Sequence, residues 1–223
     1  LSLLIGLSLF LGSALQQVAL IYTDVANAAF FTIFYVPMVP IIIFMFKKDS
    51  LHWSVWPSVI LCLIGGYLLT NFYDATVRLG DTLVILGALF WSTHIIFTGM
   101  IIKIYNLPLT IGAIQTLLVA LFSFVVGSFY EEFVIENILN EIDSILYAGI
   151  LSGGLAFVLQ IYAQRNITPA PAAIIFSLEG VFATIAAWFL LSQILDFNNI
   201  LGCFFILSGV LISQLLPLIK KIN

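Results

Sequence analysis

Eight apolar runs, each about as long as a membrane crossing, constrain this chain more than any other feature. A helix that spans the hydrocarbon core needs about 20 mainly apolar residues. Runs of that kind occupy roughly residues 1–22, 26–46, 54–73, 82–102, 108–130, 144–164, 169–192 and 198–218. They are about twice the length of a barrel strand, so they predict helices. The 223 residues include seven Lys or Arg and eleven Asp or Glu, and charged residues make up 8% of the chain against 62% hydrophobic. A soluble domain carries about 25% charged residues. So few charges cannot cover a water-facing surface, which excludes a soluble enzyme, a nucleic-acid binder and a disordered tail. The fold class that remains is an all-α membrane protein, a polytopic transmembrane helix bundle whose outer face meets lipid.

Turn signals fall between the runs. Lys47-Lys48-Asp49-Ser50 ends the second span. Pro108 opens the fifth and Pro169 the seventh, near a first turn, where a missing N–H is harmless. If the sides alternate, one side collects Lys47, Lys48, Lys103, Arg165, Lys220 and Lys221, with Asp49 its only acid. The other collects Asp24, Asp74, Asp81, Glu131, Glu132, Glu136, Glu141, Asp143 and Asp196, with Arg78 its only base. Cytoplasmic loops gather Lys and Arg, so the basic side is inside and the C-terminus is cytoplasmic. Tyr22, Trp53, Trp56, Tyr73, Tyr105, Tyr130 and Tyr147 lie near span ends, as an interfacial aromatic belt requires. Cys62 and Cys203 stand within apolar runs and read as small hydrophobes, with no metal or disulfide role.

Residues 7–69 match residues 151–213 without a gap at an offset of 144. Gln16 falls on Gln160, Ala28-Ala29 on Ala172-Ala173, and Gly65 on Gly209. Spans one to three then correspond to six to eight. That is an offset of five crossings, so the two copies run in opposite directions through the membrane. Such an inverted-topology repeat is a common plan of secondary transporters. It predicts two units, 1–80 as the last three helices of a first repeat and 81–223 as a second repeat of five. The counterparts of spans four and five would then lie upstream in roughly sixty further residues. The expectation is eight helices present of ten. The chain also opens on a Leu inside an apolar stretch.

Residues 19–37, from Ala19 to the proline motif at Pro37, resemble the small-residue turn and helix of the EamA-type domain of the drug/metabolite transporter superfamily. Residues 168–182, with Ser177-Leu178-Glu179, resemble the second copy of that turn, and Gly87–His94 is similar to the start of the family's second half. Gly180 stands where the family often has Pro, and Ser192-Gln193 where a Gly-Glu pair is common. The resemblance implies ten helices, alternating access, and mostly export of small metabolites, amino acids or toxic compounds.

Glu179 is the only acid at bilayer depth. A charge there costs about 2.5–3.5 kcal/mol on insertion scales, and such residues usually face a wet cavity. It reads as a group that binds a cationic solute moiety or a proton, or else as a helix–helix hydrogen bond. His94 and Trp91 share the middle of span four. The imidazole reads as a proton relay or solute contact, or as a neutral interhelical partner. Trp91 reads as a stacking surface or as packing. Tyr35 occupies the Glu179 position in the other repeat and so reads as a cavity wall. Gln16 and Gln160 read as structural glue. Pro37 and Pro40 each free a backbone carbonyl, at Ile33 and Val36, and form a candidate hinge. Small residues four apart, at Gly149/Gly153, Gly209/Ser213 and Ser58/Cys62/Gly66, predict close helix packing.

The function this supports is a secondary transporter, an exporter of a small organic metabolite or amino acid across the inner (plasma) membrane. The alternatives are an intramembrane enzyme and a non-transporting scaffold. A scaffold would have a dry centre. The partners are a small-molecule substrate and the lipid bilayer, with a homodimer allowed. No nucleic acid, cofactor or metal is called for.

Overall fold

The computed structural model describes residues 1–47, 51–70, 78–192 and 194–219. Lys48, Asp49, Ser50, Tyr73, Asp74, Gln193, Lys220 and Lys221, which contribute to the turn, charge and aromatic pattern, lie outside the described residues. Among the described residues every regular element is a helix. In order these are α1 (Ser2–Ala19), α2 (Val25–Thr32), α3 (Tyr35–Lys47), α4 (Val55–Leu69), α5 (Leu79–Tyr105), α6 (Pro108–Tyr130), α7 (Ile135–Asn140) and α8 (Ile142–Leu146). A π-helical stretch (Tyr147–Ala156) follows, then α9 (Phe157–Ala163), α10 (Pro169–Phe176), α11 (Leu178–Leu191) and α12 (Phe197–Ile219).

Seven of the expected crossings are long and apolar enough to span a membrane, with Val25–Phe46, Ile142–Ala163 and Pro169–Leu190 each counting as one. The third differs. Its described helix is α4, with 15 residues. At 1.5 Å per residue that reaches only about 22 Å, short of a core about 30 Å thick.

Local chemistry sets the boundaries. Asp81, three residues into α5, accepts from the Arg78 backbone N–H at 2.7 Å and closes a capping box. Asn106 ends α5 in the left-handed conformation at φ 52°, and Pro108 then opens α6. Span two is broken at Ile33–Phe34 and span seven at Ser177. At the first break, Val36 donates to the Ile33 carbonyl, which Pro37 cannot serve. At the second, Gly180 donates to the Ser177 carbonyl, with no proline present. α2 and α10 begin and end 144 residues apart, and their N-caps, Asp24 and Thr168, share an extended conformation with ψ of 151° and 155°.

The bundle centre is built from α3, α4, α5 and α10, through buried Val36, Val39, Val59, Ile95, Ala173 and Ile174. Lipid tails are as apolar as these side chains, so close fit rather than exclusion of water holds the helices together. α4 lies along α12, and α1 lies between α5 and α6. Ser58, Cys62 and Gly66 are buried on α4, and Gly209 and Ser213 on α12, as the small-residue spacing predicts. Gly149 and Gly153 behave otherwise. They lie in the π-helical stretch, where a Cβ added to Gly149 meets nothing within 4 Å and one added to Gly153 meets only the Ala148 carbonyl of its own helix. The spacing is present there, but among the described residues no partner helix packs against these two glycines.

Cross-links at one end of the bundle hold its turns together. Arg78 pairs with Asp24 at 2.7 Å, Thr23 donates to buried Asp81 at 2.5 Å, and the Asn199 amide donates to the Leu69 carbonyl at 3.3 Å. These contacts join the turns after α1, α4 and α11, as strict alternation of the crossings requires.

Candidate functional site

The two broken spans frame a half-open cavity of about 1310 Å³. Its walls come from both parts of the sequence. α1 contributes Gln16 and α5 contributes Trp91. Thr32, Ile33 and Tyr35 come from the first break, and Ser177, Glu179 and Gly180 from the second. Ser152, Phe157 and Gln160 line it from the π-helical stretch and α9. Val25, Thr70 and Asn199 carry it to the end where Asp24 and Arg78 pair.

Three of the expected residues meet here. Glu179 is open to the cavity, in the first turn of α11. Tyr35 is 4% exposed, and its hydroxyl has no hydrogen-bond partner within 3.5 Å among the described residues. The Glu179 carboxyl is its electrostatic neighbour, as is Cys62. The Ser177 hydroxyl reaches the Cys62 sulfur at 3.4 Å and donates to the Ile174 carbonyl at 2.6 Å. Trp91 donates its indole N–H to Gln16 Oε1 at 3.2 Å and stacks on Phe157 with ring centroids 5.9 Å apart and planes within 1°. The cavity is therefore part aromatic and part polar, with a single carboxyl among its lining residues.

His94 is placed differently. It is fully buried behind the cavity wall, edge-on to Trp91 and Phe157 at centroid distances of 6.2 and 5.9 Å, and its Nε2 bonds Gln115 Oε1 at 3.1 Å. It reaches α6 through Gln115 and is not among the lining residues, although three residues along α5 leave it only about 60° around the helix from Trp91. Pro37 and Pro40 are not among the lining residues; Pro37 sits in the first turn of α3, just past the break. Gln16 bridges α1 to α5 through Trp91, and both Gln16 and Gln160 line the cavity. Phe157, Thr184 and Asn199 line it as well and had no sequence signal beyond their location in apolar runs.

A multi-pass helical bundle with a half-open cavity lined partly by polar groups defines an integral membrane protein with room inside for a small solute. Residues 78–215 match the EamA-like transporter family. The chain belongs to that family and is a membrane transporter. It is 31% identical over 212 residues to an uncharacterized transporter of Archaeoglobus fulgidus, an alignment covering 95% of this chain and 67% of that protein. An uncharacterized transporter of Clostridium kluyveri is 23% identical, over 93% of this chain and 69% of its own length. A solved crystal structure at 15% identity superposes with a TM-score of 0.81, over 96% of this chain and 75% of that one, and so shares the fold.

Proposed function

We propose that the protein is a secondary transporter that exports a small organic solute across the inner (plasma) membrane by alternating access. The observation that carries this is the meeting of Glu179, Tyr35 and Trp91 in one half-open cavity between two broken spans. A lone carboxyl at bilayer depth is expensive and is kept where it binds something. Here it would take a cationic group of the solute, or a proton, while the Trp91 face takes an apolar part. Amino acids and amines carry both features. A scaffold would have no need of such a space.

The chain is read as two antiparallel copies, residues 1–80 and 81–223, meeting at this cavity. Three observations support that. α2 and α10 share their limits at the offset of 144, both spans break at the same register, and Tyr35 and Glu179 occupy equivalent positions beside each other. Rocking of one copy against the other, with hinges at Ile33–Pro37 and Ser177–Gly180, would close the Asp24–Arg78 end and open the other. The basic side, with Arg165 and the C-terminus, is assigned to the cytoplasm.

The test is flux. The protein reconstituted in liposomes is loaded with radiolabelled amino acids and amines, and efflux is followed with and without a pH gradient. At least one solute should move, and Glu179→Gln should slow it tenfold or more. No movement of any solute, or full flux through the Glu179→Gln protein, would overturn the assignment.

A further inference from the structure

A second cluster of polar side chains lies behind the cavity wall, between α5, α6 and the end of α9. His94, Thr98, Gln115 and Gln164 are each 1% exposed or less. Each retains a buried polar atom with no protein partner among the described residues: His94 Nδ1, Thr98 Oγ1, Gln115 Nε2 and Gln164 Oε1. They are neighbours. His94 bonds Gln115, Thr98 is one turn along α5 from His94, and Gln164 donates to the Ile95 carbonyl between them at 3.0 Å. The Thr98 hydroxyl does not turn back onto a carbonyl of its own helix, as those of Thr32, Thr93 and Thr184 do, and it is fully buried.

The four unmet atoms are complementary to water. With Gln115 Oε1 accepting from His94 Nε2–H, Nδ1 presents a lone pair, and the Gln115 amide presents N–H groups. Gln164 Oε1 accepts, and the Thr98 hydroxyl does either. Buried polar groups left by the protein are met by internal water, which needs two to four such partners.

We infer that His94, Thr98, Gln115 and Gln164 form a buried hydration site whose ligand is ordered water, separated from the solute cavity by the stacked pair Trp91 and Phe157. On the transport reading above, this site lies beyond the aromatic wall, toward Arg165, and gives the solute path a wet continuation on the closed side. The site itself does not depend on which solute is carried.

Two measurements on the intact protein in lipid test it. The first is a structure at a resolution that shows water, with density expected within hydrogen-bond reach of His94 Nδ1 and Thr98 Oγ1. The second is thermal unfolding of Thr98→Val, which should melt about 2–4 °C lower, with Thr98→Ser restoring most of the loss. A dry site predicts the reverse, because an apolar isostere relieves an unmet hydroxyl. Absence of the density, or a Thr98→Val protein at least as stable as the parent, would overturn the inference. Both outcomes are independent of flux, so they can fail while transport stands.

Discussion

Gly65 and Gly202 lie backbone to backbone. A Cβ built on Gly65 would fall 2.7 Å from the Gly202 carbonyl oxygen, and one built on Gly202 would fall 2.7 Å from the Gly65 carbonyl oxygen. Two turns away along α4, Ser58 meets Gly209, whose added Cβ would lie 2.9 Å from the Ser58 carbonyl oxygen. Position 58 corresponds to 202 and position 65 to 209 at the offset of 144. The two contacts are therefore the same contact made twice, with partners exchanged. A two-fold relation between packed surfaces, which the proposed repeat requires, would produce that pattern.

Because each glycine would set its new Cβ equally close to the other's carbonyl oxygen, substitution at Gly65 or at Gly202 should cost about the same. Gly65→Ala and Gly202→Ala each force a methyl against backbone, and overpacking of this kind costs about 1–3 kcal/mol. Ser58→Ala is the contrasting case. Its hydroxyl is buried without a partner among the described residues, so removing it should be neutral or stabilising. Reversible unfolding in mixed micelles measures all three. Unequal costs at the two glycines, one near zero and one large, would break the reciprocal packing of Gly65 against Gly202.

Tyr35 and Glu179 should act as a pair. If the carboxyl and the hydroxyl serve one solute group, Tyr35→Phe should slow flux several-fold on its own. It should have little further effect once Glu179→Gln is present, because residues that share one interaction are not additive. Flux of the two single variants and the double variant into liposomes gives the coupling. Effects that multiply would place the two side chains on separate tasks.

Asp81 is a structural anchor of the Asp24–Arg78 end. It accepts from Thr23 and from the Arg78 backbone, with no surface exposed. Asp81→Ala removes a cap and leaves the Thr23 hydroxyl unmet. A cost of about 1–2 kcal/mol is expected from the cap alone. Arg78→Ala removes only the ion pair with Asp24, whose side chains are 45% and 66% exposed, and exposed pairs contribute little. Thermal unfolding should therefore drop clearly for Asp81→Ala and hardly at all for Arg78→Ala. The opposite ranking would make the ion pair, not the buried carboxylate, the tie between α2 and α5.

Much of this was legible in the chain itself. Run length predicted the crossings because hydrocarbon thickness admits no other solution. The cost of a buried charge singled out Glu179, and the offset of 144 led from it to Tyr35. What remained hidden depends on rotation about a helix axis. His94 and Trp91 are three residues apart, and nothing in an apolar helix says which of the two faces the cavity. A helix hydrophobic all round carries no amphipathic stripe to read. The same silence concealed Phe157 and Asn199, and made Gly149 and Gly153 look like packing residues. α4 fell short for a related reason, since apolar composition sets where a helix can lie but not where it ends.

Trp91 offers a direct view of the cavity. Its indole is held by Gln16 Oε1, the Phe157 ring, the edge of His94 and the backbone of α1 at Gly12, and it lines the cavity wall. The protein has four tryptophans, so replacing Trp53, Trp56 and Trp188 by Phe leaves Trp91 as the sole reporter. Its emission should be quenched by acrylamide, because a small neutral quencher can enter a half-open space of about 1310 Å³. A transported solute that rests on the indole face should protect it in proportion to occupancy. Gln16→Leu removes the acceptor for the indole N–H, so emission should shift to the blue. The stability cost should stay near 0.6 kcal/mol, roughly the average for interhelical hydrogen bonds in membranes, whose alternative in the unfolded state is rarely bare. If solute drives flux without altering the quenching of Trp91, then the solute passes by another wall, and the aromatic pair serves only to close off the polar cluster around His94.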